Sequence, residues 1–185
     1  MDELDKFRVI YKLKGVYRNS TVGNRRESSA EHSWSCLLLA DFLLDFVDKD
    51  IDRLKVYELL MYHDLVEVYA GDVVLHPENV VDKEGKKKDE EAAALLLKGK
   101  LPSSFGSRYS KLYFEYEERK SDEAKFAKAV DALDSMIHEL GNKENWKCWT
   151  RDFLVKNKLC YFEDFPRIEK LFFEILGYLE EEGYI

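Results

Sequence analysis

The chain has 185 residues, of which 45% are apolar and 36% are charged, and its formal net charge is −8 at pH 7. A chain of this length can bury one substantial core, and this composition is ordinary for a globular protein. So acidic a chain lacks the broad basic face that displaces counterions from a nucleic acid backbone, so we expect poor non-specific binding and no nucleic acid polymer as a partner.

The sequence shows no membrane or targeting signal. The first residues, MDELDKFRVIYKLKG, are charged and lack the apolar run of a signal peptide. No stretch reaches the roughly 18 apolar residues that a membrane helix needs. The three cysteines have no C-x-x-C spacing and predict no disulfide framework, so we expect a cytoplasmic protein without membrane contact. We expect all three to be small core residues: Cys36, Cys148 and Cys160.

Apolar residues recur at spacings of three and four, which is the period of an amphipathic helix. In the first half of the chain this period predicts a helix that ends at Gly15 and a largely buried helix whose N-cap is Ser29. A third helix is predicted from residue 53 to a stop at Gly71. In the second helix we expect a core-facing group made of Trp34, Leu37, Leu38, Leu39, Phe42 and Leu43.

The same period continues through the second half of the chain. It predicts helices over residues 83–102, 107–120, 121–140, 144–156 and 163–181. The mixed-sign run over residues 82–91 is typical of a solvated face or loop. No convincing strand, repeat or linker is evident. We therefore predict an all-α fold, a single helical bundle of about seven or eight helices.

Four metal-ligating side chains fall on predicted buried helices: His32, the adjacent His63 and Asp64, and Asp131. Burying an unpaired charge costs several kcal/mol, so such groups are paired, neutralised or bound to a metal. An adjacent His–Asp pair can converge on one ion, because the imidazole reaches further than the short carboxylate. Two imidazoles and two carboxylates suit one divalent transition metal (Mn, Co, Ni, Fe or Zn) better than calcium or a cysteine-bound structural zinc.

Taken alone, His63 and Asp64 are more simply explained as a core histidine with its hydrogen-bond partner. Glu67, one turn after His63, and Asp72, just beyond this helix, weaken that explanation, because several ionisable groups now share one segment. The sequence therefore favours a functional site here, although spacing by itself does not exclude the structural pair.

Other polar and aromatic residues are open to two interpretations. Asp134 lies one turn from Asp131 and either hydrogen-bonds a ligand side chain or contributes to helix packing. Trp146 and Trp149 belong either to the core or to a dimer surface. His76 precedes a proline and suits an exposed position or the substrate's edge.

Four motifs, AEHSW, HDLVE, AGD and KFAKAVDAL, occur in the order found in HD-domain phosphohydrolases, and the chain resembles their 5′-deoxynucleotidase branch. LKGVYRNS, RRESSAEHSW, an LP at 101–102 and an EYE at 115–117 also resemble that branch. The resemblance covers about residues 8–140 and implies one HD-type domain over residues 1–185, in which residues 141–185 form a helical extension.

The resemblance also implies roles for individual residues. It assigns the metal site to His32, His63, Asp64 and Asp131. Glu67 would assist the attacking water, and Asp72 would orient or activate that water. Arg18 would grip the substrate phosphate or sugar, with Arg26 as a second candidate phosphate contact. Asn19 follows Arg18 where the branch often has a bulky residue such as Trp.

The function implied is that of a metal-dependent phosphohydrolase, most simply a phosphomonoesterase that releases phosphate from (deoxy)nucleoside 5′-monophosphates by attack of a metal-activated water. The partner would be a small phosphorylated substrate, a nucleotide, and a homodimer is a possible assembly. One alternative is a phosphodiesterase or an alarmone-type nucleotide hydrolase. The extra His ligands of dinuclear phosphodiesterases are missing, since only His76 lies between His63 and Asp131. An alternative from another class is a non-catalytic ligand-sensing or interaction protein.

Overall fold

The structure, a computed structural model, describes residues 2–73, 75–79 and 82–185. The all-α prediction is confirmed, and eight α-helices in these ranges have six or more residues. The α-helical segments are α1 (Asp2–Phe7), α2 (Ser29–Leu43), α3 (Arg53–Tyr62), the one-turn α4 (Glu67–Ala70), α5 (Lys83–Lys100), α6 (Ser103–Glu118), α7 (Asp122–His138), α8 (Arg151–Lys158) and α9 (Pro166–Glu181). None of the described helices is long and apolar enough to cross a membrane.

The expectation that the chain contains no strand is wrong at one place. β1 (Tyr17–Val22) and β2 (Arg25–Ser28) form an antiparallel hairpin. Both strands are short and polar, so they lack the apolar alternation by which a half-buried strand is recognised. Polar contacts hold the hairpin against the end of α7: the Thr21 carbonyl accepts a hydrogen bond from His138 at 2.9 Å, and the Thr21 N–H donates to Glu139 at 3.3 Å.

Side-chain caps determine where two of the central helices begin. α2 is capped by Ser28 and not by Ser29, because the Ser28 hydroxyl accepts from the Glu31 N–H while the Glu31 carboxylate accepts from the Ser28 N–H. Ser121 caps α7, at the first residue of the helix predicted over 121–140, and accepts a hydrogen bond from the Ala124 N–H at 3.2 Å. α7 therefore starts at the register that places Asp131 and Asp134 on one face.

One hydrophobic core joins the motif-bearing part of the chain to residues 141–185. α2, α3, α6 and α7 pack together, with Phe126 and Leu133 of α7 fully buried between them. The C-terminal segment adds buried side chains to the same core: Trp146, Leu154, Phe162, Ile168 and Phe172. The extension is thus packed against the helices that carry the motifs.

The predicted orientation of α2 is wrong for part of its apolar surface. Trp34, Leu38 and Phe42 are exposed, with 63, 55 and 59% of their surface accessible. Residues spaced by four share one helix face, so these three form a stripe on the outside of α2, which we call the α2 stripe. The core face of the same helix carries Cys36, Ala40 and Leu43. Because α2 is apolar around most of its circumference, its sequence alone does not show which face is packed.

The prediction that all three cysteines lie in the core holds only for Cys36, which is fully buried. Cys148 and Cys160 are exposed. Cys148 lies in a loop with φ +69°, and Cys160 lies in a 3₁₀ turn after α8. Loops and turns run over the surface to keep their backbone groups hydrated, so small apolar residues in them remain accessible.

Candidate metal centre and active-site cavity

A cavity of about 400 Å³ lies among the hairpin, α6, α7 and the C-terminal segment. Its lining includes six of the eight predicted site residues: Arg18, His63, Asp64, Glu67, Asp72 and Asp131. The C-terminal segment also contributes to the lining, through Trp146, Trp149, Lys158 and Tyr161. The helical extension, which carries no motif, thus closes one side of the cavity.

The predicted third helix is interrupted at the candidate metal ligands His63 and Asp64. α3 ends at Tyr62, and His63–Val66 forms a 3₁₀ turn before the one-turn α4. The turn buries His63, whose Nδ1 donates a hydrogen bond to the Leu60 carbonyl at 2.7 Å. This bond leaves Nε2 with its lone pair free, and Nε2 lies 3.1 Å from Asp64 Oδ1.

His32, on the buried face of α2, lies between two carboxylates of α7. Its Nδ1 donates to Asp134 Oδ2 at 2.8 Å, and its Nε2 lies 3.0 Å from Asp131 Oδ1. The Ser35 hydroxyl donates to the same Asp134 oxygen at 3.0 Å. Of the two interpretations of Asp134, the geometry favours the one in which it orients His32.

Asp131 presents its two oxygens to different surroundings. Oδ1 faces His32, whereas Oδ2 accepts hydrogen bonds from the Tyr116 hydroxyl at 2.7 Å and from Lys128 Nζ at 2.8 Å. Burial opposes ionisation of Asp131, but Lys128 and His32 outweigh it and hold the pKa of this carboxyl well below its usual range. Asp131 is therefore an ionised carboxylate with Oδ1 directed at the histidines.

The residues present fit a divalent cation. One ligand atom each from His32, Cys36, His63 and Asp131 lies within 4.8 Å of the others, and Asp64 Oδ2 lies 3.9 Å from His32 Nε2. His63 Nε2 and Asp64 Oδ2 are buried and have no hydrogen-bond partner among the described residues. Such buried orphans are costly, and a shared cation would satisfy both atoms.

Cys36 is a neighbour of this cluster that sequence reasoning missed. It lies one turn after His32, with Sγ 3.5 Å from the imidazole Nε2. Burial raises the pKa of the Cys36 thiol to about 12, so it remains a neutral thiol. The spacing of four from His32 was the available signal, because it places both side chains on one helix face.

Two acidic residues beside the cluster have shifted proton affinities. Burial, reinforced by the charge of Asp64, raises the pKa of Glu67 to about 8. Glu67 Oε2 is buried without a hydrogen-bond partner in the described part of the chain. Burial also raises the pKa of Asp72 above its ordinary value. A carboxyl group with a pKa of about 8, as in Glu67, can accept and return a proton during a reaction.

Of the two predicted arginines, the structure brings only Arg18 to the cavity. Its Nε lies 3.4 Å from Glu27 Oε2, and its Nη1 lies 3.6 Å from Asp64 Oδ2. Arg26 is exposed and does not line the cavity. Because successive residues on a strand point to opposite faces, the buried Glu27 turns toward Arg18 and Arg26 turns away.

The tryptophans and the remaining histidines lie outside the metal-ligand cluster. Trp146 is buried and Trp149 is half-buried, so neither tryptophan forms an exposed apolar surface. His76 packs edge-on against Trp149, with ring centroids 5.8 Å apart. His138 contacts Thr21 of the hairpin. Both tryptophans line the cavity and contribute apolar surface to it.

Comparison with known proteins gives a consistent result. The profile of the HD domain matches residues 10–159. The 5′-deoxynucleotidase HDDC2 of Danio rerio is 29% identical over 145 residues, which are 77% of this chain and 68% of that protein. The Mus musculus protein of the same name is 31% identical over 75% of this chain and 66% of its own length. The chain thus spans about two thirds of these curated relatives.

A solved structure is similar along the whole chain. The crystal structure of a predicted metal-dependent phosphohydrolase from Magnetospirillum magnetotacticum MS-1 has a TM-score of 0.87 and 31% sequence identity, and the match covers 100% of this chain and 94% of that one. An HD-domain phosphohydrolase from Listeria innocua, with 20% identity and a TM-score of 0.70, shows the same fold.

Proposed function

The chain belongs to the HD-domain family, and from that membership we propose that it is a metal-dependent phosphomonoesterase acting on (deoxy)nucleoside 5′-monophosphates. The observation that carries the proposal is the position of the orphaned His63 Nε2 and Asp64 Oδ2, both on residues that line the cavity together with Arg18. A cation held there and an adjacent guanidinium suit a substrate whose reacting group is a phosphate.

We propose that the metal is held by the side chains His32, His63, Asp64 and Asp131, with Mn, Co, Ni, Fe and Zn as the candidates. When bound, the ion supplies Lewis acidity, which lowers the pKa of water toward neutrality and offsets charge on phosphoryl oxygens. Asp134 fixes the His32 tautomer by accepting its Nδ1 proton, and the Leu60 carbonyl does the same for His63. His32 and His63 would then each hold the ion through Nε2.

The chain's own residues handle the substrate and the protons. Arg18, anchored by Glu27, donates to non-bridging phosphate oxygens and stabilises the charge that develops on them. The ionised form of Glu67 accepts a proton from the water whose oxygen forms the new bond to phosphorus, while Asp72 orients that water. As the bond from phosphorus to the 5′-oxygen breaks, Glu67 returns its proton to the departing alcohol. The products are a nucleoside and inorganic phosphate.

Phosphate release from a nucleotide panel tests this proposal. The metal-stripped protein is supplied with Mn²⁺, Co²⁺, Ni²⁺, Zn²⁺ or Mg²⁺ singly and assayed on 5′- and 3′-monophosphates, ribo and deoxy. We expect metal-dependent release confined to 5′-monophosphates, and the ratio of deoxy to ribo rates reports the effect of Asn19, which lines the cavity beside Arg18.

Matched substrates separate the competing functions. A cyclic or dinucleotide diester and a nucleotide alarmone are included in the panel at the same concentration. Cleavage of these compounds without cleavage of monophosphates would replace the monoesterase proposal. Metal binding without turnover of any compound would instead favour a ligand-sensing protein.

We further propose that two copies associate through the α2 stripe. Its three members, Trp34, Leu38 and Phe42, are the kind of adjacent exposed apolar residues that mark protein interfaces. We expect a dimer by light scattering and a monomer for Leu38→Lys with unchanged helicity. A monomeric parent protein at assay concentration would contradict this assembly.

A further inference from the structure

Lys158, the last residue of α8, is a buried cation that no motif singled out. Only 8% of its surface is accessible, and it lines the cavity. Its Nζ donates to the Ala132 carbonyl and to the Ser135 hydroxyl, both at 2.7 Å. Both acceptors are neutral. An ammonium group has three N–H donors, so these two bonds leave one donor uncommitted.

The surroundings of Lys158 are rich in positive charge. A chamber of about 290 Å³ shares lining residues with the main cavity, including Asp131. Among the described residues, four cations line this chamber: Arg18, Lys86, Lys128 and Lys158. Three of them pair with carboxylates: Arg18 with Asp64 at 3.6 Å, Lys86 with Glu90 at 3.5 Å, and Lys128 with Asp131 at 2.8 Å.

Lys158 differs from these three cations. No carboxylate among the described residues lies within 4.0 Å of its Nζ. Lysine is almost never fully buried unless it is paired, because removing its charge from water costs several kcal/mol. Lys158 is thus a buried ammonium group with one free N–H donor and no carboxylate partner among the described residues. It lies in a chamber that Asp131 also lines.

We propose that Lys158 is a phosphate-binding residue, which donates its third N–H to a non-bridging oxygen of the substrate phosphate. The identity of that phosphate as the reacting group of a nucleotide rests on the proposed function, whereas the anion site itself does not. A monoester phosphate carries close to two negative charges at pH 7, and a diester carries only one. Lys158 would therefore favour monoesters over diesters.

The titration of Lys158 is compatible with this role. Burial lowers the pKa of Lys158 to about 8, so the group is still mostly charged at pH 7. A bound phosphate would raise the pKa of Lys158 again, because a neighbouring negative charge favours the ammonium form.

Calorimetric titration of the metal-loaded protein with inorganic phosphate tests the proposal. We expect Lys158→Met to weaken phosphate binding about ten- to a hundredfold, the range that corresponds to loss of one charge-assisted hydrogen bond. Lys156→Met, on the exposed side of the same helix, is the matched control and should bind phosphate as the parent protein does. The KM for the best monophosphate of the panel should rise with the phosphate Kd, while kcat changes less.

The possible outcomes separate this inference from the proposed function. Equal phosphate affinity in a folded Lys158→Met protein would overturn the role of Lys158, whether or not nucleotides are hydrolysed. A parent protein that hydrolyses no nucleotide, but loses phosphate binding on Lys158→Met, would overturn the function and support the site. If Lys158→Met does not fold, the titration of the Lys158 side chain in the parent protein is followed by NMR. Phosphate must raise its pKa, and an unchanged titration overturns the proposal.

Discussion

Replacing His63 with alanine is expected to remove the bound metal and to lower phosphate release by at least about a thousandfold. His63 Nε2 is buried and has no hydrogen-bond partner among the described residues, and the bond from His63 Nδ1 to the Leu60 carbonyl orients the ring. Alanine has no donor atom to replace it, and the remaining groups would have to bind the ion with one ligand fewer. Metal content per chain, measured by mass spectrometry after gel filtration, and phosphate release on the best nucleotide check this prediction.

His76→Ala is the matched control for this experiment. His76 lies outside the ligand cluster and packs against Trp149, so its removal should leave the metal content unchanged. If His63→Ala kept its metal and kept activity within tenfold of the parent protein, His63 would not be a metal ligand. Loss of metal by both variants would indicate a general effect of histidine removal on the fold, which circular dichroism would detect.

Replacing Glu67 with glutamine is expected to lower phosphate release about a hundred- to ten-thousandfold while the metal content stays the same. The amide keeps the shape of the side chain but cannot accept the proton of the attacking water, and proton transfer contributes rate factors of this size. Full activity in Glu67→Gln would show that another group accepts the proton, and Asp72, which also lines the cavity, would be the next candidate.

The same variant should be more stable than the parent protein at pH 8 when both are metal-free. Burial raises the pKa of folded Glu67 from 4.5 to about 8. Between these two values the unfolded chain has released the proton and the folded chain still holds it, so stability falls as the pH rises through this window. Glutamine does not titrate and removes this loss, which predicts a melting temperature higher by a few degrees at pH 8.

The comparison of the two proteins across pH isolates this effect. The difference in melting temperature should shrink as the pH falls toward 4, where Glu67 is protonated in both states. Glu163→Gln, at an exposed position before α9, is the control and should show no such trend. A Glu67→Gln protein that is less stable at pH 8 would contradict the assignment of a buried, proton-holding carboxyl.

Local patterns in the sequence are sufficient to predict most of the helices and the candidate ligands. Ser121 caps α7 at the first residue of the helix predicted over 121–140, and Gly71, at φ +74°, ends α4 where the third helix is expected to stop. These features depend on neighbouring residues along the chain, since a cap or a left-handed backbone position acts within one turn. The candidate ligands His32, the His63–Asp64 pair and Asp131 are likewise recognisable from their residue types, order and spacing along the chain.

Only the tertiary structure decides which atoms surround those ligands. Arg26 points away from the cavity because side chains alternate between the two faces of β2, whose polar sequence shows no strand pattern. The exposure of the α2 stripe cannot be predicted from the sequence, because a helix that is apolar on most sides does not specify its packed face. Tyr116 contacts Asp131, which is 15 residues away in the sequence, and Lys158 contacts Ala132, which is 26 residues away. Their roles follow from packing between distant segments, which hydrophobic period and short-range spacing do not encode.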